Sequence, residues 1–390
     1  MPSVCFVTLS RSDYASLRPV VRAAMADSEI EVKLIAGGSH MLSRFGTTIE
    51  QIKKDGLDIH AAAEFLSEKD DSPEQLAAAY ARAVSIFVEL FTADQPDYVF
   101  VLGDRWEMLA VATAASMLQI PIVHHSGGDI TQGSSDNQTR YALSCLSHLH
   151  LVALEDHRRR LLAMGEEAWR VMTVGEPALT ELPTYAALAG DIYEELGLQK
   201  GEPFVLATFH PTSFDTLSTE AQIDGFLEVL DTISEPIILT APNPDAESEI
   251  FLRKLTEYAD KHAHVQLHES LGAVRYYAAM KHAKYMIGNS SSGLWEAPSF
   301  GLPVINIGPR QQGRAHGANV VNVPLVVKDV TAAIRQVSQP AFLEKLVDNT
   351  NPYVRADTLE LILDALKKPR DKKALLAKKL MDPLNADHSS

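Results

Sequence analysis

The sequence predicts an α/β protein made of two doubly wound parallel-sheet domains facing across a cleft, and three observations predict it. The chain has 390 residues, too many for one hydrophobic core and well suited to two domains of ordinary α/β size. Short β-branched apolar runs alternate with amphipathic helical patterns, and strands buried on both faces imply parallel sheets. After Gly175-Glu176-Pro177 the alternation starts again, so there are two such blocks.

In the first block, 4–9, 31–36, 98–102, 121–123 and 149–153 read as buried strands, with helices at 14–25, 73–91, 106–118 and 136–146. The second block has strands at 204–208, 236–240, 264–267, 285–287 and 304–307. Between them, 176–200 is polar, proline-bearing and without strand signal. The expected organisation is an N-terminal domain over 1–176 and a second over 177–356. A helical segment over 357–390 is expected to pack back on the N-terminal domain.

Composition narrows the partners. A net charge of −16 argues against nucleic acid, which needs a basic face, and requires local arginines for any anionic substrate. No apolar run reads as a membrane span, and the N-terminus enters a strand with no signal peptide. Cys5 and Cys145 lie in apolar contexts, as expected of buried thiols in a reducing compartment. The expectation is a cytoplasmic protein with no nucleic-acid or membrane partner. The basic stretch 367–379 reads as the solvated side of a terminal helix, or as a contact for an anionic surface.

Ligands of open parallel sheets bind outside the carboxyl ends of the strands. There the first block places Ser10-Arg11-Ser12-Asp13, Gly103-Asp104-Arg105 and His124-His125-Ser126-Gly127-Gly128-Asp129. The second places His210-Pro211-Thr212, Pro242-Asn243, His268 and Asn289 to Ser292. The run Gly288-Asn289-Ser290-Ser291-Ser292-Gly293 sets three hydroxyls between glycines before a helix. Helix N-terminal N–H groups beside serine hydroxyls can hold phosphate oxygens, and Glu296 one turn on can accept from a ribose diol. The run thus reads as a nucleotide diphosphate grip, with a serine-rich helix cap as the plain alternative.

Arg11 could reach a phosphate bidentately, or be a surface arginine. Asp104 reads as a general acid or base, or as a helix cap, and His210 as functional or as turn structure. The stretch 124–140 offers Asp129 and Asp136 as carboxylates of a catalytic loop. It lacks the His-x-x-x-His or cysteine spacing of a metal site. No strand is followed by Gly-x-Gly-x-x-Gly, and no Walker loop or nucleophile elbow occurs.

A family resemblance rests on an ordered set of motifs. They are Ser10-Arg11-Ser12-Asp13-Tyr14, Gly103-Asp104-Arg105-Trp106-Glu107, Gly127-Gly128-Asp129, Arg140 with Ser147-His148-Leu149-His150, and Gly165 with Val174-Gly175-Glu176-Pro177. His210-Pro211, the Gly288 to Gly293 run, and Asn306-Ile307-Gly308-Pro309-Arg310-Gln311-Gln312-Gly313-Arg314 complete it. Over about residues 4–366 the chain resembles the hydrolysing UDP-N-acetylglucosamine 2-epimerases of sialic-acid and legionaminic-acid biosynthesis, including those acting on UDP-2,4-diacetamido-2,4,6-trideoxyglucose.

The resemblance implies a glycosyltransferase-B-like pair of Rossmann-like domains with the site between them. It also implies a UDP-activated acetamido sugar, no metal or organic cofactor, and a homodimer or larger homo-oligomer. The implied reaction eliminates UDP to a glycal and then adds water with inversion at C2. Asp104 and Asp136 resemble the acid–base carboxylates, and His210 the histidine beside the diphosphate. Arg11, Arg105, Ser290, Ser291 and Arg310 resemble the phosphate-side contacts, with Ser292 and Gly293 completing the loop. Asn243 resembles a site asparagine, Glu296 the ribose carboxylate, and Leu271 and Tyr276 the uracil-side positions.

One position departs. Many members carry a glutamate directly before the Gly-Gly pair, where this chain has Ser126. A serine is no general base at neutral pH, so His125 or Asp129 takes over the proton, or the substrate differs, or the protein hydrolyses slowly. Ser126 could also make room for a C4 acetamido group. The alternatives are a non-hydrolysing 2-epimerase, a glycosyltransferase, and a UDP-sugar-binding protein on the same scaffold.

Overall fold

A computed structural model describes residues 1–70, 72–188, 190–242, 248–347 and 350–381. The chain forms two compact units. The first comprises 1–129, 136–180 and 353–390, and the second 130–135 and 181–352.

The first unit holds a parallel sheet of seven strands: β1 (Ser3–Thr8), β2 (Glu31–Gly37), β3 (Ala61–Ala63), β4 (Tyr98–Leu102), β5 (Ile122–His125), β6 (Leu149–Val152) and β7 (Val171–Thr173). Their order is β3-β2-β1-β4-β5-β6-β7. Alternation along each strand supplies both faces. Val4 and Phe6 pack with the helices Arg11–Ala26 and Thr358–Lys367, while Cys5 and Val7 pack with Pro73–Ala93 and Trp106–Met117. Each such buried side chain contributes about 1.5–3 kcal/mol. The C-terminal segment belongs to this unit through Ile362, Ala365, Leu366 and Leu375 in its core.

The second unit repeats the plan with β8 (Val205–Thr208), β9 (Ile237–Thr240), β10 (Val265–His268), β11 (Tyr285–Gly288), β12 (Val304–Ile307) and β13 (Val320–Val323). The order is β10-β9-β8-β11-β12-β13, again parallel throughout. Phe209 stacks on Phe226 at 4.4 Å between ring centres and joins the core beneath the sheet.

Four expectations need correction. Three strands, β3, β7 and β13, carried too little signal to be read. All three are edge strands, paired on one side only, and two have three residues. Cys145 is an exposed thiol, since only Arg140, Leu143 and Ser144 of its helix turn fully inward, whereas Cys5 is buried. The helix Pro73–Ala93 is long and apolar enough to cross a membrane by length and composition. Arg82 and Glu89 break its apolar run in the sequence, and in the fold Ala79, Ala83, Phe87 and Phe91 pack into the core. The helix after the three serines is a single turn, Ser292–Trp295, because Pro298 diverts the chain into a 3-10 turn, Ala297–Phe300.

Candidate active site

In the first unit the polar groups gather at the carboxyl ends of β1, β4 and β5. Ser10 caps the helix Arg11–Ala26 in a capping box with Asp13. The Asp13 carboxylate accepts from Leu9 N at 2.9 Å, Ser10 N at 2.8 Å and Ser10 Oγ at 2.8 Å. Burial raises its pKa, and these hydrogen bonds oppose the rise. Asp13 therefore shapes the turn that presents exposed Arg11.

Asp104 follows β4 through Gly103. Its carboxylate is paired with Arg140, whose side chain is 1% exposed. Arg140 also donates to the Asp129 carbonyl at 3.2 Å. Asp136 begins the helix Asp136–Leu146, and Arg140 stands one turn further on. Asp104 and Asp136 are thus tied to one rigid element. Arg105 donates to Glu107 Oε1 at 3.0 Å, and burial raises the pKa of Glu107. Asp129 is buried, with Oδ1 3.4 Å from His157 Nε2.

The β5 histidines are neutral because burial depresses both. His124 is pushed down to about 3, while a smaller opposing pull from Glu176 acts on His125. His124 Nε2 lies 2.8 Å from the Gly103 carbonyl and must donate to it, so Nδ1 is the acceptor. His125 Nε2 likewise donates to the Gly175 carbonyl at 3.1 Å, leaving Nδ1 to accept from Ser126 Oγ at 2.9 Å. Ser126 has φ +74°, a left-handed conformation uncommon for a side-chain-bearing residue. The hydroxyl that stands in place of the glutamate is therefore turned onto His125.

In the second unit the ends of β8 and β11 carry the other cluster. Gly288 has φ +135°, and a Cβ there would lie 1.8 Å from the Thr208 carbonyl oxygen, so only glycine fits. Asn289 comes next and is 1% exposed. Its Oδ1 accepts from His210 N at 2.7 Å, and its Nδ2 donates to the His210 carbonyl at 2.9 Å. One amide thus pins both backbone groups of His210. The Asn289 carbonyl in turn accepts from Arg310 Nη1 at 3.1 Å and Gln311 Nε2 at 2.9 Å.

The hydroxyls of Ser290 and Ser292 lie 2.9 Å apart, and Tyr276 Oη is 2.7 Å from Ser292 Oγ. Burial raises the Tyr276 phenol to about 12, the charge of Glu296 adding to the shift. Tyr276 therefore braces the serine loop through its hydroxyl. With only one helical turn behind it, that loop can hold an anion through hydroxyls and local N–H groups rather than a macrodipole. Leu271 is buried, and its carbonyl accepts from Arg275 Nε at 2.9 Å. Ile130–Ser135 also belongs to this unit: Phe214 N donates to the Gly133 carbonyl at 3.2 Å, and a Cβ on Gly133 would meet the Pro309 oxygen at 2.7 Å. Asn243 lies outside the described residues. Among the described residues no three His, Cys, Asp or Glu converge as a metal site.

Sequence reasoning missed Asn289 and Arg140 as site-building residues. Arg140 had a readable signal, its spacing of four from Asp136 on one helix face. Asn289 was read within the Gly288 to Gly293 run, but nothing in that run marked its amide as the group that pins His210.

Both strand orders are those of doubly wound nucleotide-binding folds, and doubling that plan in one chain defines the glycosyltransferase-B-like class of enzymes. The family described as UDP-N-acetylglucosamine 2-epimerase matches residues 22–367, and the chain belongs to it. The GDP/UDP-N,N'-diacetylbacillosamine 2-epimerase (hydrolyzing) of Campylobacter jejuni is 34% identical, covering 87% of this chain and 88% of its own. The UDP-N,N'-diacetylbacillosamine 2-epimerase (hydrolyzing) of Legionella pneumophila is 31% identical over 93% and 95%. The crystal structure of UDP-GlcNAc 2-epimerase from Neisseria meningitidis bound to UDP-GlcNAc shares the fold, with a TM-score of 0.82 at 17% identity over 94% and 100% of the chains.

Proposed function

We propose that this chain is a hydrolysing 2-epimerase of a UDP-2-acetamido sugar, and that its preferred sugar bears a second acetamido group at C4. The observation that carries the acid–base part is the pairing of Asp104 with Arg140 on the helix that Asp136 begins. A base removes the C2 proton, and the electron pair forms C1=C2 as the C1–O bond breaks and UDP leaves. Water then adds: its oxygen bonds C1 as it gives up a proton to one carboxylate, and C2 takes a proton from an acid on the opposite face. Free manno-configured sugar and UDP result. Asp104 and Asp136 exchange these protons, Asp129 is the further carboxylate of the loop, and His210, Arg310 and the serine loop stabilise the departing diphosphate.

The C4 acetamido preference is supported by the names of the Campylobacter and Legionella relatives and by Ser126, whose small side chain is drawn onto His125. Such a product feeds nonulosonic-acid synthesis, the sialic or legionaminic class, in the cytoplasm. A homo-oligomer is supported by the apolar helix Pro73–Ala93, whose Ala77, Ala78 and Ala81 are exposed.

NMR in D2O with UDP-N-acetylglucosamine and UDP-2,4-diacetamido-2,4,6-trideoxyglucose tests the reading. The expected outcome is free UDP and a C2-deuterated manno sugar, formed faster from the diacetamido substrate. An epimeric UDP-sugar with no free UDP would mark a non-hydrolysing enzyme. Binding of UDP with no turnover of either sugar would mark a binding protein.

A further inference from the structure

In the basic stretch near the C-terminus Lys368, Lys372, Lys373 and Lys379 are exposed, as a solvated face requires, whereas Lys367, Arg370 and Lys378 go to specific acceptors within the first unit. Lys367 Nζ lies 2.9 Å from Asp27, and Arg370 Nη1 donates to the Ala365 carbonyl at 2.5 Å. Arg170, buried at 1% side-chain exposure, donates to the Leu375 carbonyl at 2.9 Å and the Ala374 carbonyl at 3.1 Å. Met381 N donates to the Gly165 carbonyl at 2.8 Å, and Leu375 is buried in the core. The segment is a strap held at both ends.

Lys378 lies inside that strap. Its Nζ is 2.8 Å from the Ser147 carbonyl, 3.0 Å from Cys145, 3.1 Å from Ser144 and 2.6 Å from Glu166 Oε1. Three N–H donors thus serve four acceptors. Three of those acceptors are backbone carbonyls at the end of the helix Asp136–Leu146, where the last turn leaves carbonyls without helical partners and a cation is favourable. Burial pushes the Glu166 pKa up, but His150 and Lys378 outweigh it and hold the group below the ordinary value.

Asp136, Arg140 and Ser144 recur every four residues and share one face of that helix. Arg140 grips Asp104. Ser144 Oγ is 3.4 Å from His124 Nδ1, whose other nitrogen donates to Gly103, the residue before Asp104. Two routes therefore run from the helix to Asp104.

We infer that Lys378 is a positioning residue for the acid–base carboxylates: by capping the helix Asp136–Leu146 it fixes the register of Asp136 and of the Arg140 grip on Asp104. This rests on the reading of Asp104 and Asp136 as the proton-transfer groups. The strap, though remote in sequence, becomes part of the catalytic framework.

The test compares Lys378→Met, Lys378→Arg and, as a control, Lys379→Met on the full chain. Steady-state kinetics and hydrogen exchange are read well below the melting temperature. Lys378→Met should lower kcat about tenfold, the scale expected when reacting groups shift by a fraction of an ångström. KM and UDP affinity should stay within about twofold, because the cap acts on positioning rather than on uniform binding. Exchange across 140–147 should quicken. Lys378→Arg should recover most of kcat, and it remains informative if the methionine variant folds poorly. Unchanged kcat in Lys378→Met, or an equal loss in Lys379→Met, overturns the inference. If the wild-type chain releases no UDP from any UDP-acetamido sugar, the functional reading fails instead. Exchange at 140–147 then decides the capping role alone, and wild-type protection in Lys378→Met overturns it.

Discussion

The two units hold their strand-end groups by opposite chemistry. The first relies on fixed charges and buried imidazoles: Asp104 with Arg140, Arg105 with Glu107, Asp129 with His157, and neutral His124 and His125 on β5. The second relies mainly on neutral amides and hydroxyls: Asn289 on His210, Gln222 on Thr212, Tyr276 on Ser292, and Asn306 on Asn322, with Arg310 as a charged donor to the Asn289 carbonyl. Proton transfer needs carboxylates held by charge, whereas a phosphate grip needs donors that stay donors at every working pH. The difference teaches that similar sheets can be built for different tasks through the residues behind the site.

The largest expected consequence is an acid sensitivity greater in the first unit than in the second. His40, His124 and His148 are pushed down to about 4, 3 and 4, mainly by burial, and His125 and His150 are lowered too. In the unfolded chain these groups bind protons near the ordinary 6.5, so the unfolded state holds more protons below that pH. Their stability is fully present above pH 6.5 and is lost as pH falls toward about 3. Glu166, held low, acts in the same direction below its ordinary 4.5. Asp13 and Glu107, raised by burial, act oppositely, but five histidines face two carboxyls. In the second unit, the lowered His268 and His282 are less buried. Peptide-resolved hydrogen exchange between pH 7 and 4 should show β1, β4, β5 and β6 losing protection before β8, β9 and β11. Simultaneous loss would erase the contrast.

A smaller effect, limited to rate, is expected where the charges meet the chemistry. Asp104→Asn should lower kcat by about 10² or more while calorimetric UDP affinity stays near wild type, as lost acid–base catalysis requires. A near-normal kcat would remove Asp104 from the reaction. The place of Asp104 was legible in the sequence, because a strand followed by Gly-Asp-Arg in a parallel sheet puts the aspartate at the ligand end. Its partner was less legible, since Arg140 lies 36 positions away and meets it only through packing. The same limit hid the grip of Asn289 on His210, 79 positions apart, and the strap of Lys378. Fully buried strands such as Tyr98–Leu102 and Val304–Ile307 were read to the residue, while the edge strand Ala61–Ala63, half exposed and alanine-only, could not be.

The smallest effect probes the neutral side of the contrast. Tyr276 gives its hydroxyl to the Ser290–Ser292 loop, and its ring lies tilted at 59° to that of Tyr277 with centres 6.1 Å apart. Tyr276→Phe keeps the ring and removes one neutral hydrogen bond, a change of about 1 kcal/mol. If the loop holds the diphosphate, UDP affinity should fall about fivefold, and kcat at saturating substrate should change far less. With the phenol pushed up to about 12, Tyr276 stays protonated across the working range, so the ratio of wild-type to variant affinity should be flat between pH 6 and 9. A uracil-side Tyr276 predicts a different selectivity: the variant would lose affinity for UDP but keep it for pyrophosphate. Equal loss for both ligands would place the hydroxyl on the phosphate side, beside its partner Ser292.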